Sequence, residues 1–293
     1  MTVVTLPTQK KLTAQTSLWT SLKRLWKRNP VLIIGTILVS LIIILAIIGP
    51  SIAPYNPIEQ NYTQRLVPPN PDHIFGTDKF GRDIFSRVLT GTQIDLQIGL
   101  VCVIFPFIIG ICVGLLSGYY GGLLDNIMMR IVDVSVSFPF YVLVIAILAI
   151  LGRGLYNMYV ALIMVGWIAY AKIIRGEVLI AKNMEYVLAA RALGYSDGRI
   201  LFTHLLPNII SPVIIFAMSD VVMCIMEGSA LGFLGLGVQA PTPEWGVMIA
   251  DAREFVTTVP WLPIFPGLAI AWVGISFSLL GDGLTSLLRP TDR

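Results

Sequence analysis

The residues able to do chemistry are few, and their spacing closes off most of it. His73 and His204 lie far apart, neither has a partner at metal-ligand spacing, and there is no His-Glu-x-x-His and no Cys-x-x-Cys. That pattern argues against a metalloprotease and gives no metal site. Gly118-Tyr-Tyr-Gly-Gly122 lacks the Gly-Lys-Ser/Thr ending of a nucleotide cradle and reads as a turn. Cys102 and Cys112 are ten residues apart on one expected helix, about 15 Å along its axis and out of disulfide reach. With Cys224 they fall in apolar stretches and read as small buried hydrophobes.

Asp220 and Glu227 stand apart from these. They are seven residues apart in an otherwise apolar run, nearly two helical turns, so they share one face about 10 Å apart along the axis. An ionisable group at bilayer depth is costly and turns toward protein or water. Their face either lines a polar path, where Glu227 could meet an amino group or a cation, or serves structure by capping a helix or pairing with an arginine. Asp133 and Asp282, near helix ends, read as structural hydrogen-bonders. No catalytic constellation appears. The chain does not read as an enzyme, and any active transport must draw energy from a partner or an ion gradient.

The elements that hold these groups follow from composition. Of 293 residues 13% are charged and 56% hydrophobic, with a mean hydropathy of +0.81; an average soluble domain is roughly one-quarter charged. The net charge of +3 is too small, and too dispersed between apolar runs, to hold a nucleic acid. What remains is an all-α polytopic membrane protein.

A bilayer core about 30 Å thick needs roughly 20 apolar residues in helix. Six runs qualify: 31–48, 98–116, 134–151, 155–174, 209–233 and 261–280. Gly152-Arg-Gly154 joins the third and fourth in a tight hairpin. The first run is too long for a signal peptide and has no cleavage site after it, so it reads as a retained span. The division is a basic tail (1–30), a first span (31–49), an outside loop (50–92), a core of five spans (93–288) with a polar loop at 176–208, and a short tail (289–293). In 17–28, Leu18, Leu22, Leu25 and Trp26 fall on one face, as in an interfacial helix on anionic membrane lipid. With both termini cytoplasmic, inside segments carry 14 Lys/Arg and outside segments six, as positive charge requires. Gly110, Gly114, Gly228, Gly232 and Gly235 should let helices pack closely. Pro106, Pro139, Pro212 and Pro266 should kink or end helices.

The polar loop between the fourth and fifth spans is rich in helix formers. Asn183 can cap a helix of about ten residues with Glu185 in its first turn, and Gly194 suits the left-handed position after the helix end. Ser196 can cap a second short helix that Pro207 stops. Ala189, Ala190 and Ala192 keep this knob slim enough for another backbone to approach, and Tyr186, Leu188 and Leu193 offer apolar anchors. The alternative is a helix pair lying on lipid.

The run 182–208 resembles the EAA signature of ABC-importer permeases: Glu-Ala-Ala, three residues, Gly, nine residues, Ile-x-Leu-Pro. Ala189-Ala190, Gly194 and Leu206-Pro207 match in register, while Leu188 replaces the signature Glu and His204 its Ile. In that family the segment is a coupling helix that inserts into a cytoplasmic ATPase, which would give Glu185, Tyr186, Leu188, Ala189, Ala190, Gly194, Leu206 and Pro207 that role. From Ala53 onward the chain is similar to the C-type member of the paired dipeptide/oligopeptide/nickel permeases. The matches are Phe75-Gly-Thr-Asp78, Gly81-Arg-Asp83, Ser86-Arg87, Gly118-Tyr-Tyr-Gly-Gly122, Arg175-Gly-Glu177, Leu231-Gly-Phe-Leu-Gly-Leu-Gly237, Pro243-Glu-Trp-Gly246 and Gly281-Asp-Gly-Leu284.

The resemblance implies a type I ABC-importer permease fold in a bacterial inner membrane. It implies a paralogous B-type permease subunit, two ABC ATPase subunits that bind ATP and Mg, and an extracytoplasmic substrate-binding protein. The chain itself would bind no cofactor. Peptides are the implied cargo, with nickel or glutathione as alternatives in the same branch. A self-contained transporter or channel driven by an ion gradient is the rival from another class.

Overall fold

The structure, a computed structural model, describes residues 29–288. The basic tail with its 17–28 segment, and the tail 289–293, lie outside the described residues. Helix α1 (Pro30–Ile52) is followed by an irregular segment and then by α2 (Ile84–Tyr120), α3 (Gly122–Val136), α4 (Phe140–Leu151) and α5 (Leu155–Ala181). The knob helix α6 (Glu185–Ala192) precedes α7 (Ser211–Phe233), α8 (Trp245–Ala252) and α9 (Trp261–Leu288). Five helices are long and apolar enough to cross a bilayer, or six if α3 and α4, bent by 94° at their junction, are counted as one span.

Three spans depart from the hydropathy reading. The second is far longer than 98–116: α2 has 37 residues, about 55 Å. Its first turns carry Arg87 and Asp95, both buried in protein, so a hydropathy window discounts them. The third run, 134–151, is not one helix. Pro139 cannot donate a backbone N–H and disfavours helical geometry in Phe138, so the chain turns at 137–139 and restarts as α4. The twelve residues of α4 reach only about 18 Å, too short to span alone. The first helix runs past the expected end at 48 to Ile52, with Pro50 inside it.

Packing is tightest between α2 and α5. A Cβ on Gly110 would lie 2.6 Å from the Trp167 carbonyl oxygen, and Gly114 is closed off in the same way by Ala171 and Ile174. Here small residues do let two helices touch, as expected. The 118–122 glycine run holds Tyr119 and Tyr120 within α2 and turns only at Gly121 and Gly122, both at positive φ. Cys102 and Cys224 are buried as expected, but Cys112 is exposed. Asp133 and Asp282 are exposed, and neither carboxylate accepts a hydrogen bond among the described residues, so their structural assignment fails.

Candidate functional site

Between α2, α5, α7 and the α3–α4 bend lies a cavity of about 370 Å³. Its walls include Cys102, Phe138, Phe140 and Gly166, and three ionisable groups reach it: Lys172, Asp220 and Glu227. The expected face of α7 is therefore real. The Tyr170 hydroxyl donates to Asp220 Oδ2 at 2.6 Å, and Tyr170 itself is buried and packs edge-on against Phe107 and Phe216. Among the described residues no arginine pairs with Asp220 or Glu227, and Glu227 has no hydrogen-bond partner. The arginine-pairing alternative is thus not realised. Sequence reading missed Lys172, because on α5 it stands alone and only folding brings it to the same cavity.

The knob is built as a separate unit at one end of the bundle. Helix α6 ends as expected: Gly194 has φ +77°, the Gly194 N–H donates to the Arg191 carbonyl at 3.0 Å and the Tyr195 N–H to Ala190 at 3.2 Å. These paired bonds satisfy the last carbonyls of the helix. The N-terminus differs from expectation. Met184, not Asn183, holds the cap position, without a side-chain hydrogen bond, and the helix has eight residues. Ser196 likewise precedes the next turn, Asp197–Arg199, without capping it through its side chain. The chain then winds through a π-helical segment, Ile200–Leu205, into Leu206–Ile209. Pro207 starts that last turn rather than stopping a helix, because its missing N–H costs nothing in a first turn.

Burial divides the knob in two. Glu185, Leu188, Ala189, Leu193 and Gly194 are exposed, and Leu193 keeps 71% of its surface. Tyr186 and Leu206 are half-buried and Pro207 is exposed. Ala190 is 3% exposed and lies with Val187 on the inner face of the knob helix, toward the 200–205 segment, so it is not on the face open to a partner. The knob's base is tied to α2: the Tyr119 hydroxyl donates to Asp197 Oδ1 at 2.8 Å and accepts from the Arg191 guanidinium at 3.3 Å. Lys182 Nζ donates to the Gly118 carbonyl at 2.8 Å, and Arg175 grips Asp125 with two bonds of 2.6 and 2.7 Å.

The opposite end is a cap of buried ion pairs. Asp83 caps α2, accepting from the Ser86 N–H at 2.8 Å, and its other oxygen meets His73 Nδ1 at 2.9 Å. Arg82, 2% exposed, donates to Asp78 at 2.6 Å and to Asp251 at 3.2 Å, which fastens the 53–83 segment to α8. Arg87 donates to the Pro57 and Pro241 carbonyls at 2.7 and 3.2 Å. Glu244 caps α8 by accepting from the Gly246 and Val247 N–H groups at 2.7 and 2.8 Å, and it also accepts from Ser229 Oγ at 3.1 Å. Asp95 accepts the Trp245 N–H at 3.2 Å within reach of Glu244. Burial holds the Glu244 carboxyl above the usual glutamate range, and its donors oppose that shift. Asp78, Arg82, Asp83, Arg87 and Glu244 lie in motifs that carry the family resemblance, whereas His73, Asp95, Ser229 and Asp251 do not. For Asp78, Arg82, Asp83 and His73 the signal was the density of Asp, Arg and His in the long loop 50–92.

A family model described as binding-protein-dependent transport system inner membrane component matches residues 110–291. Another, the N-terminal TM domain of oligopeptide transport permease C, matches 17–69. The chain is 40% identical, over 97% of its length and 93% of the relative, to the dipeptide transport system permease protein DppC of Alkalihalophilus pseudofirmus. It is 38% identical to the oligopeptide transport system permease protein OppC of Bacillus subtilis, over 94% of this chain and 90% of that one. It is 40% identical to the glutathione transport system permease protein GsiD of Escherichia coli O6:K15:H31, over 93% and 90%. A solved structure of the MetNI methionine ABC transporter in inward facing conformations shares the fold, with a TM-score of 0.57 and 19% identity over 70% of this chain and 97% of that one. The long helices, the bent pair and the knob thus compose a type I importer permease fold. The chain belongs to the binding-protein-dependent transport system inner membrane components, as a non-catalytic permease subunit of an ABC importer.

Proposed function

We propose that this chain is one of two unlike permease subunits of an ATP-driven importer of short peptides in a bacterial inner membrane. Both its termini are cytoplasmic, and lipid covers the apolar outer faces of its helices. Two partner ATPases, which bind ATP and Mg, grip the knob through Leu188, Ala189, Leu193 and the first turn around Glu185 and Tyr186. An extracytoplasmic binding protein delivers cargo at the cap end. The relatives named for dipeptides and oligopeptides support the cargo class. A peptide also carries the ammonium that Asp220 and Glu227 suit.

The carrying observation is the knob itself: exposed on one side and bonded to α2 through Tyr119 on the other. An object held so can pass on a push. Closure of the ATPases displaces α6, Tyr119 carries the displacement to α2, and the turn Leu206–Ile209 carries it to α7, which bears both chamber carboxylates. The chamber then opens to one side or the other, a two-state element that ATP biases from within and loaded binding protein from without.

Ala189→Arg or Leu193→Asp should abolish uptake in the reconstituted complex and remove the stimulation of ATP hydrolysis by loaded binding protein. These are better probes than Ala190, whose enlargement would overpack the inner face of the knob, or Gly194, whose positive φ resists any side chain. Normal uptake by both variants overturns the docking surface. Cargo movement by the purified chain alone, without nucleotide, overturns the importer reading.

A further inference from the structure

We infer that the chamber is a two-ended site for a zwitterionic peptide, in which Lys172 receives the terminal carboxylate and Glu227 the terminal ammonium. This rests on the pathway assignment above and adds a residue and a chemistry to it. Lys172 lies nine residues before the end of α5 at Ala181, and Asp220 nine residues after the start of the antiparallel α7 at Ser211, so the two stand at one depth. The Tyr170–Asp220 hydrogen bond fixes that registry. Glu227 stands seven residues further along α7, about 10 Å toward the cap. An extended chain advances about 3.3–3.6 Å per residue, so that distance suits the two ends of a peptide of two or three residues.

The charges are disposed for such cargo. Asp220 is engaged by Tyr170, but among the described residues Lys172 and Glu227 each lack a hydrogen bond or an ion pair, although both line the cavity. Glu227 is half-buried, and an unpaired carboxylate beside an apolar wall costs free energy unless a ligand completes it, while Lys172 is exposed and its ammonium is free to meet one. Apolar Phe138, Phe140 and Leu162 line the space between and can accept varied side chains. The termini, common to all short peptides, are read, while the side chains are only accommodated.

The test uses the complete complex in proteoliposomes, with tri-alanine and its C-terminal amide as cargo at concentrations that saturate the binding protein. Lys172→Gln should lower tri-alanine uptake about tenfold, the worth of one charge-assisted hydrogen bond, and Lys172→Arg should restore it to within twofold. The ratio of tri-alanine to amide uptake should fall at least fivefold in Lys172→Gln; comparing ratios cancels the binding protein's own preference. Wild-type uptake by Lys172→Gln, failure of arginine to rescue, or an unchanged ratio overturns the proposal. Lys172→Cys and Glu227→Cys, made without Cys102, Cys112 and Cys224, separate the two readings. Modification of both by a polar thiol reagent, with an unchanged cargo ratio, leaves a pathway that does not read termini. Protection of both from the reagent removes the pathway as well.

Discussion

The cap buries its charges and the chamber lines a cavity with half-buried and exposed ones, and the two treat them in opposite ways. In the cap, Arg82 is enclosed by Asp78 and Asp251, Asp83 by His73 and Ser86, and Glu244 by two backbone donors and Ser229. In the chamber, Asp220 has one hydroxyl donor, and among the described residues Lys172 and Glu227 have no partner. A buried charge whose bonds are all met locks its surroundings, and the same charge left open waits for a ligand. The cap therefore ties the long helices together at one end, while the chamber leaves charges open to a ligand, as the proposed pathway requires. The knob is intermediate, with a few specific bonds at its base and a bare outer face.

The comparison breaks most sharply in the cap. Asp78→Ala should leave the enclosed Arg82 guanidinium short of its nearest carboxylate and destabilise the protein by about 3–5 kcal/mol, read as a lower melting temperature and a lower yield of assembled complex. A loss under about 1 kcal/mol would mean that the cap ion pairs are dispensable. Next comes the α2–α5 seam. Gly114→Leu has no room against Ala171 and Ile174 and should cost about 1–3 kcal/mol, and Gly114→Ala less, in the same unfolding assay.

Tyr119→Phe removes two hydrogen bonds at the knob's base while keeping the ring. It should cost about 1 kcal/mol of stability yet uncouple ATP hydrolysis from uptake. A double-mutant cycle with Asp197→Ala checks that the two act as one contact, since additive effects would show that they do not.

The smallest effect is a pH dependence. Because burial holds the Glu244 carboxyl above its ordinary value, the folded protein keeps that proton where the unfolded chain has lost it. Its contribution to stability is present below the ordinary glutamate pKa and is lost as pH rises through the raised folded value. Unfolding scans from acid to neutral pH should show a shallow decline that Glu244→Gln flattens. An unchanged slope would mean that the retained proton sits on the neighbouring Asp95 rather than on Glu244.

Much of the molecule was legible along the chain. Apolar runs located the five helices long enough to cross, because crossing lipid imposes a length and composition that each segment meets by itself, but they missed the bent α3–α4 pair. Gly194 announced the end of α6, since a left-handed residue after a helix is a local demand. Gly110 and Gly114 marked the seam with α5 through their spacing. Reading failed where a residue's role depended on a distant neighbour. Residues 84–92 looked like loop, and 93–97 fell short of the second apolar run, because Arg87 and Asp95 lower their hydropathy, yet folding surrounds both with protein. Ala190 looked available to a partner and lies on the inner face of the knob helix.

By itself the sequence determined a polytopic membrane protein with a polar knob between its fourth and fifth spans, because hydropathy and helix-end chemistry act within a few turns of the chain; its resemblance to known permeases supplied the role. Only the tertiary structure decided which charges are closed and which are open. Arg82 finds Asp251 across 169 residues, Tyr170 finds Asp220 across 50, and Lys172 reaches the chamber from another helix altogether. Coulomb and hydrogen-bond energies depend on distances in space, and those are fixed only when the helices pack.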